Sequence, residues 1–181
     1  LVLSRGLGDV YKRQIFIEPI LGESGIIRAT NPFLKGLRKI ADKHKALLIF
    51  DEVQSGIGRT GTLMAYMGYG VTPDISTLAK GLGGGMPIGA TLAKKNIAEA
   101  FQPGTHGSTF GGNPLACIVA KKVVEIISSQ KVLSGVVKKT ISFSKKLNAL
   151  SEKYNMFSDI RTAGLWIGCD FKTIKSSNFI Q

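Results

Sequence analysis

The feature that most constrains the fold is an uninterrupted apolar run at residues 47–50, which ends in Asp51 and Glu52. Such a run is typical of a strand that is buried on both faces of a parallel sheet. Ile75–Leu78 has the pattern of a second short strand, and Lys80 follows it closely. Because ligands of open α/β sheets bind outside the carboxyl ends of the strands, Asp51 and Lys80 are predicted to face one crevice.

A carboxylate and an amine in one crevice suit one cofactor chemistry in particular. Pyridoxal phosphate bonds through its aldehyde to a lysine, and it needs a carboxylate that keeps its ring nitrogen protonated so that the ring withdraws electrons. Lys80 and Asp51 are the candidates for these roles. The spacing alone leaves an alternative open: a buried strand that ends in a solvated acid, with an unrelated surface lysine downstream.

Three longer strings resemble a known family. DEVQSGIGRTG at 51–61, LAKGLGGGMPIGA at 78–90 and HGSTFGGNPLA at 106–116 resemble, in this order, segments of the class III pyridoxal phosphate aminotransferases. The similarity extends from about residue 15 to about residue 171. It implies an α/β protein of pyridoxal phosphate fold type I, with part of a large domain on a mostly parallel sheet and the start of an α+β C-terminal domain.

The resemblance also divides the chain. It implies that residues 15–130 form part of the cofactor-binding large domain, 131–155 a connecting helical segment, and 156–181 the start of a truncated small domain. Residues 1–14 match nothing in the family and are expected to be a non-native leader that packs poorly. Because members of the family are longer, we expect the chain to be a fragment that is inactive by itself.

The family pattern implies cofactor contacts within two of the three strings. It places Asp51 at the ring nitrogen, Gln54 at the ring hydroxyl and Lys80 at the aldehyde. Glu52 and Val53 lie in the same string and are expected to take part in cofactor binding.

The family pattern also implies a shared site. Thr109 corresponds to a threonine that holds the phosphate of the neighbouring subunit's cofactor, and Ser108 to a residue near the substrate. Glu23, in the GESG turn, corresponds to a glutamate that pairs with a substrate-binding arginine, which would lie beyond residue 181. The resemblance therefore implies a homodimer that acts on small amino and oxo acids.

The implied activity is transfer of an amino group from N-acetylornithine to 2-oxoglutarate, a step of arginine biosynthesis. HGSTFGGNPLA and FSDIR favour this donor, whereas 4-aminobutyrate or ornithine is the alternative within the family. A remote alternative is a P-loop ATPase, in which an apolar strand followed by Asp-Glu binds Mg²⁺. The sequence contains no GxxxxGK[ST] phosphate loop to support it.

Composition adds limits on partners and compartment. The net charge of +12 raises a nucleic-acid hypothesis, but the lysines are spread along the chain, so solvated helix faces and no nucleic-acid partner are expected. Cys117 and Cys169 are far apart in apolar runs and are expected to be reduced core residues of a cytoplasmic protein, without a metal site. No apolar stretch approaches the roughly 20 residues of a membrane span, so no membrane association is expected.

Apolar spacing and capping residues predict the remaining elements. The Asn-Pro pairs at 31–32 and 113–114 each predict a helix start, with the asparagine as the cap. A further helical segment is predicted at 131–154 and another buried strand at 88–93. Residues 157–171 resemble the first strand of the family's small domain.

Overall fold

The computed structural model describes residues 13–172. The strands are β1 (Gln14–Ile17), β2 (Ile20–Leu21), β3 (Ile27–Arg28), β4 (Leu47–Asp51), β5 (Ile75–Leu78), β6 (Ala90–Ala93), β7 (Phe157–Thr162) and β8 (Ile167–Phe171). The helices are α1 (Asn31–Lys43), α2 (Ala65–Tyr69), α3 (Lys95–Ala98), α4 (Pro114–Ile127) and α5 (Gln130–Tyr154).

The boundary of the expected leader needs a correction. Gln14, which we expected to belong to the leader, opens β1 and pairs with Leu47. Arg13 also takes part, because its carbonyl accepts the Leu47 N–H at 2.6 Å. Residues 1–12 lie outside the described residues, so their poor packing stays a prediction, as does the structure of the expected small-domain residues after 172.

A four-stranded sheet with the order β1-β4-β5-β6 forms the centre of the fold. The first three strands are parallel, and β6 runs antiparallel to β5. The expected mostly parallel sheet is therefore confirmed. β6 is shorter than the predicted 88–93, and its side chains are half-buried or exposed rather than buried.

The central strand β4 has three buried side chains, and an apolar core cluster covers the face that carries Leu48 and Phe50. Leu48 and Phe50 lie in a core cluster with Leu34 and Ala41 of α1, and all four side chains are fully buried. A second cluster joins Leu78 at the end of β5 to the region after it and to α4. Because Phe50 pairs with Ser76, Leu78 lies on the same face as Phe50, so both clusters pack on one face of the sheet.

The helix starts follow the two Asn-Pro pairs, but the caps differ. At α4 the Asn113 side chain accepts the Ala116 N–H at 2.9 Å, as predicted. At α1 the cap is Thr30, whose hydroxyl oxygen accepts the Phe33 N–H at 3.3 Å. Asn31 is therefore the first helical residue, because a threonine one position earlier supplies the acceptor.

The C-terminal part differs from the single predicted strand. Residues 157–171 form the antiparallel hairpin β7–β8, which reverses at Gly164 with φ of +66°. A Cβ on this glycine would lie 2.3 Å from the Arg59 carbonyl oxygen, so the turn packs directly on the loop after β4. The hairpin thereby reaches the open edge of the central sheet.

The two cysteines are not core residues, contrary to expectation. Cys117 is exposed on α4, and Cys169 is half-buried in β8. Cys117 lies on the exposed face of α4, although its neighbours in sequence are apolar. Consecutive residues of a helix point in different directions, so an apolar run did not imply that each of its residues is buried.

Candidate active site

The carboxyl ends of β4 and β5 bring an acid and a lysine to the same edge of the sheet. Asp51 pairs in parallel register with Thr77, and Lys80 follows three residues later. The predicted common edge is therefore confirmed. The Asp51 carboxylate is oriented by the Val53 N–H at 3.0 Å and the Thr77 hydroxyl at 3.2 Å, both to the same oxygen, so its other oxygen makes no hydrogen bond within the described residues.

Lys80 has an unusual backbone conformation. It opens a short 3₁₀ turn, Lys80–Gly83, with φ of +45°, a region that non-glycine residues rarely occupy. Such strain persists where the surrounding structure fixes it, and it is common at functional sites. The buried Leu82 anchors the turn in the second core cluster, which leaves Lys80 itself exposed at the crevice.

A cavity of about 310 Å³ lies against Lys80. It is lined by Val53, Gln54, Gly56, Ile57, Arg59, Lys80, Gly81 and Trp166. Two predicted cofactor-binding residues, Val53 and Gln54, thus share one pocket with the lysine. We call it the Lys80 pocket.

The Glu52 side chain does not line this pocket and instead accepts hydrogen bonds from the start of α2. It is fully buried, and its two carboxylate oxygens accept the Ala65 N–H at 2.6 Å and the Tyr66 N–H at 2.8 Å at the start of α2. Burial raises the pKa of Glu52 despite these hydrogen bonds. The Glu52 side chain therefore has a structural role, and the expected part of Glu52 in cofactor binding stays a prediction.

The turn that contains Glu23 packs against the Lys80 pocket from the side of β2 and β3. A Cβ on Gly22 would lie 2.4 Å from the Gln54 amide nitrogen and 2.7 Å from the Trp166 ring, so only glycine fits there. Glu23 is exposed in this turn, next to the pocket wall. Its predicted substrate contact stays a prediction.

Ser108 and Thr109 are not brought to the Lys80 pocket of their own chain. Both are exposed in the segment between α3 and α4, and neither lines the pocket. The neighbouring Phe110 side chain is 82% exposed, and Leu115 and Ile118 on α4 are also exposed. The signature 106–116 therefore presents polar and apolar groups away from the described core.

Three site residues were not anticipated from the sequence. Trp166 and Arg59 line the Lys80 pocket, and Thr77 orients Asp51. Trp166 is the only tryptophan of the chain, and this was the sequence feature that could have pointed to it as a site residue. Its position in the pocket depends on the hairpin turn packing on residues 59–60, a contact distant in sequence that no local pattern reveals.

The described residues also bear on metal binding and membrane insertion. Between residues 13 and 172, no three His, Cys, Asp or Glu side chains lie close enough to hold a metal ion. No helix in this part of the chain has the length and apolar character to cross a membrane.

Comparison with known proteins agrees with this geometry. Residues 14–181 match the model of the aminotransferase class-III family. The succinylornithine transaminase of Salmonella typhi is 55% identical over 159 residues, which are 88% of this chain and 39% of that protein. The chain therefore spans about two fifths of the length of this relative.

Solved structures share the fold. The N-acetylornithine aminotransferase of Stenotrophomonas maltophilia superposes with a TM-score of 0.80 at 39% identity, over 88% of this chain and 41% of that one. The ornithine aminotransferase of Toxoplasma gondii, described with partial pyridoxal phosphate occupancy at its active site, gives 0.81 at 36% identity, over 87% and 38%. The chain belongs to the class III aminotransferases, which are pyridoxal phosphate enzymes of fold type I.

Proposed function

We propose that this chain supplies the lysine-bearing part of an aminotransferase site that moves an amino group from an N-acylated ornithine, N-acetylornithine in the first place, to 2-oxoglutarate. The observation that carries the proposal is the parallel β4–β5 pair, which brings Asp51 and Lys80 to one edge of the sheet, where Lys80 lines a cavity of about 310 Å³. The relatives named for acetylornithine and succinylornithine support an acylated donor.

The residues present fit pyridoxal phosphate. The pocket combines a lysine amine, the Gln54 amide and the Trp166 ring, and its volume lies at the lower end of the roughly 300–1,000 Å³ of small-molecule sites. Asp51 does not line this pocket; at the same edge of the sheet, it keeps one carboxylate oxygen free of hydrogen bonds within the described residues. This donor and acceptor set matches a ligand with an aldehyde, a ring hydroxyl and a ring nitrogen.

Each residue then has a chemical role. When bound, pyridoxal phosphate supplies a protonated ring that takes up the electron pair from the carbon bearing the substrate's amino group. Asp51 would hold the proton on the ring nitrogen, and Gln54 would donate to the ring hydroxyl. Lys80 would attach the cofactor through its Nζ, and the same amine would then move a proton at the substrate carbon. Trp166 forms one wall of the pocket.

The proposal includes a homodimer in the cytoplasm, with Thr109 and Ser108 of each subunit completing the site of the other. Support comes from their exposure and from the exposed apolar side chains beside them, Phe110, Leu115 and Ile118. A complementation test addresses this: mixing a Lys80→Ala subunit with a Thr109→Ala subunit should restore about a quarter of the activity if sites are shared, because one site in a mixed dimer then carries neither change. Two inactive homodimers whose mixture also stays inactive would contradict the sharing.

The central claim is tested in a hybrid enzyme, in which residues 14–172 replace the matching segment of the Salmonella typhi succinylornithine transaminase. After incubation with pyridoxal phosphate and reduction with borohydride, peptide mapping should find the label on Lys80. Lys80→Ala should abolish the label and the transamination. Lys95→Ala, an exposed control at the start of α3, should change neither. A label on another lysine of residues 14–172 would overturn the proposal.

Ornithine is the second candidate donor, because ornithine aminotransferases are among the structural relatives. The two candidates are separated by comparing N-acetylornithine, N-succinylornithine, ornithine and 4-aminobutyrate as donors for the full-length protein that carries this chain. The highest kcat/KM should belong to an acylated ornithine. A higher value for ornithine or 4-aminobutyrate would transfer the assignment to that substrate.

A further inference from the structure

We propose that Arg161 is a positioning residue of the active site, which fixes the 22–25 turn and the Trp166 wall of the Lys80 pocket through one hydrogen bond to the Gly25 carbonyl. Arg161 lies on β7 and does not line the pocket. The inference rests on the proposed function for its kinetic part only, because the geometry it describes can be measured without any turnover.

The Arg161 guanidinium is held in one orientation by two carboxylates. Its two terminal nitrogens each donate to one oxygen of Asp170, both at 2.7 Å, and one of them also contacts Asp159. A two-pronged contact of this kind fixes the plane of the guanidinium as well as its position. The remaining nitrogen, Nε, therefore points in a defined direction, and there it donates to the Gly25 carbonyl at 2.7 Å.

The 22–25 turn, whose Gly25 carbonyl accepts this hydrogen bond, has a strained backbone and few hydrogen bonds of its own. Gly25 has φ of +99°, and the buried Ile26 has φ of +60°, which is costly for a β-branched residue. Within the turn only the Gly25 and Ile26 N–H groups bond back to the Gly22 carbonyl. On the far side, a Cβ on Gly168 would lie 2.6 Å from the Gly25 carbonyl oxygen, so the hairpin backbone also abuts the turn.

The same turn packs behind the pocket wall, because it contacts two lining residues, Gln54 and Trp166, without lining the pocket itself. Gly22 lies so close to the Gln54 amide and the Trp166 ring that neither has room to shift towards it. Trp166 itself follows Arg161 in the hairpin, where its carbonyl accepts the Ala163 N–H at 2.8 Å. Arg161 thus joins the hairpin that carries Trp166 to the turn that contacts Gln54 and Trp166, and loss of its hydrogen bond should loosen both segments.

Substitutions of Arg161 and Asp170 distinguish the effect of the hydrogen-bond geometry from the effect of the Arg161 charge. Arg161→Lys keeps the positive charge, but one amine cannot contact both Asp170 oxygens and the Gly25 carbonyl. Arg161→Gln removes the charge as well. Asp170→Asn keeps the arginine and removes one of the two ionised acceptors, so it should give an intermediate effect. Asp159 and Asp170 are more than half exposed, so we expect these variants to stay folded, with midpoint shifts of about 4 °C or less.

The first readouts use the 181-residue chain. Hydrogen exchange of the peptide covering residues 20–28 should be about tenfold faster in both Arg161 variants, because the turn is no longer held at the Gly25 carbonyl and the bonds from the Gly25 and Ile26 amides to the Gly22 carbonyl open more often. The emission of Trp166, the only tryptophan, should shift to longer wavelength as water reaches it. Lys122→Gln, which removes an exposed ion pair with Glu125 on α4, is the control and should change neither signal. Wild-type exchange and emission in Arg161→Lys would overturn the proposal.

The kinetic readout uses the hybrid enzyme. Arg161→Lys should raise the KM for the amino donor about tenfold or more with a smaller change in kcat, because the substrate is misplaced while Lys80 and Asp51 are untouched. Borohydride labelling of Lys80 should remain complete in this variant. Absence of the label in the unsubstituted hybrid would refute the proposed function and leave the exchange result standing, whereas an intact label with an unchanged KM would refute the role of Arg161 in the site.

Discussion

Thr77 donates its hydroxyl hydrogen to the Asp51 carboxylate at 3.2 Å, across the last paired position of β4 and β5. The contact exists because parallel register places the two side chains side by side at the carboxyl edge of the sheet. With the Val53 N–H it fixes one carboxylate oxygen, so that the other is available to a ligand. The orientation of the proposed ring-nitrogen partner is therefore set by a neighbour on the next strand.

Replacing Thr77 by valine tests this relationship. Valine keeps the branched shape but not the hydroxyl, and a hydrogen bond to a charged acceptor is worth about 1.5–3 kcal/mol, so the affinity of the hybrid enzyme for pyridoxal phosphate should fall about tenfold or more. The dissociation constant is measured by absorbance titration. Thr77→Ser keeps the donor and should stay within a factor of about three. A valine variant that binds as tightly as the serine variant would show that Thr77 does not orient Asp51.

Asp51 itself should separate attachment from catalysis. In the hybrid enzyme, Asp51→Ala should keep the borohydride-trapped label on Lys80, because the aldehyde chemistry needs no ring proton. The transamination rate should fall about 100-fold or more, since an unprotonated ring withdraws electrons poorly. Label mapping and initial rates measure the two effects in one preparation. An Asp51→Ala variant that keeps its rate would remove Asp51 from the mechanism.

The fold was predictable where local pattern decides it. The apolar run 47–50 became β4, in which consecutive side chains are buried, and the segment Ile75–Leu78 became β5, in which buried and half-buried side chains alternate. The parallel register of these strands then made the common edge of Asp51 and Lys80 predictable as well. The strands follow from residues close in sequence, whereas the spacing of Asp51 and Lys80 alone left their chemistry open and the family resemblance implied it.

Features that depend on distant contacts were not predictable. Trp166 reaches the Lys80 pocket only because Gly164 packs on the Arg59 carbonyl, more than a hundred residues earlier. Glu52 stands in the same signature as Asp51, but the strand alternation turns its carboxylate towards α2. The sequence motif therefore identified the correct segment, but the direction of each side chain depends on tertiary packing.

The buried Glu52 gives a stability prediction. Glu52→Gln should destabilise the chain by about 1–3 kcal/mol, because an amide has only one oxygen and its NH₂ would face the second α2 N–H. The free energy of unfolding is measured in urea at pH 7. Glu125→Gln, at an exposed position on α4, is the matched control and should change it by less than about 0.5 kcal/mol. Because burial raises the pKa of Glu52, its charged form is disfavoured in the fold, so the wild-type advantage should grow as the pH falls through that raised value.

Asp74 should control stability at acid pH from the opposite edge of the sheet. Its side chain is 9% exposed and accepts from Arg38 at 2.7 Å, Lys94 at 2.7 Å and the Leu48 N–H at 2.8 Å, joining α1, β4 and the end of β6. Burial alone would raise the pKa of Asp74, but the hydrogen bonds from Leu48, Lys94 and Arg38 outweigh it and hold the pKa below its ordinary value.

The sign of the pH dependence follows from that lowered pKa. The folded state binds the Asp74 proton more weakly than the unfolded chain, so the carboxylate stabilises the fold fully above the unfolded pKa of about 4, and this stability is lost as the pH falls through the lower folded value.

At pH 7, Asp74→Asn should cost about 3 kcal/mol, because it leaves Arg38 without its buried partner. Urea unfolding at steps from pH 7 to pH 2.5 should show the difference between wild type and variant shrinking at the acid end. Asp42→Asn removes the other, exposed partner of Arg38 and should give a small difference at every pH. An Asp74→Asn difference that stays constant with pH would show that the carboxylate charge at this position contributes nothing to stability.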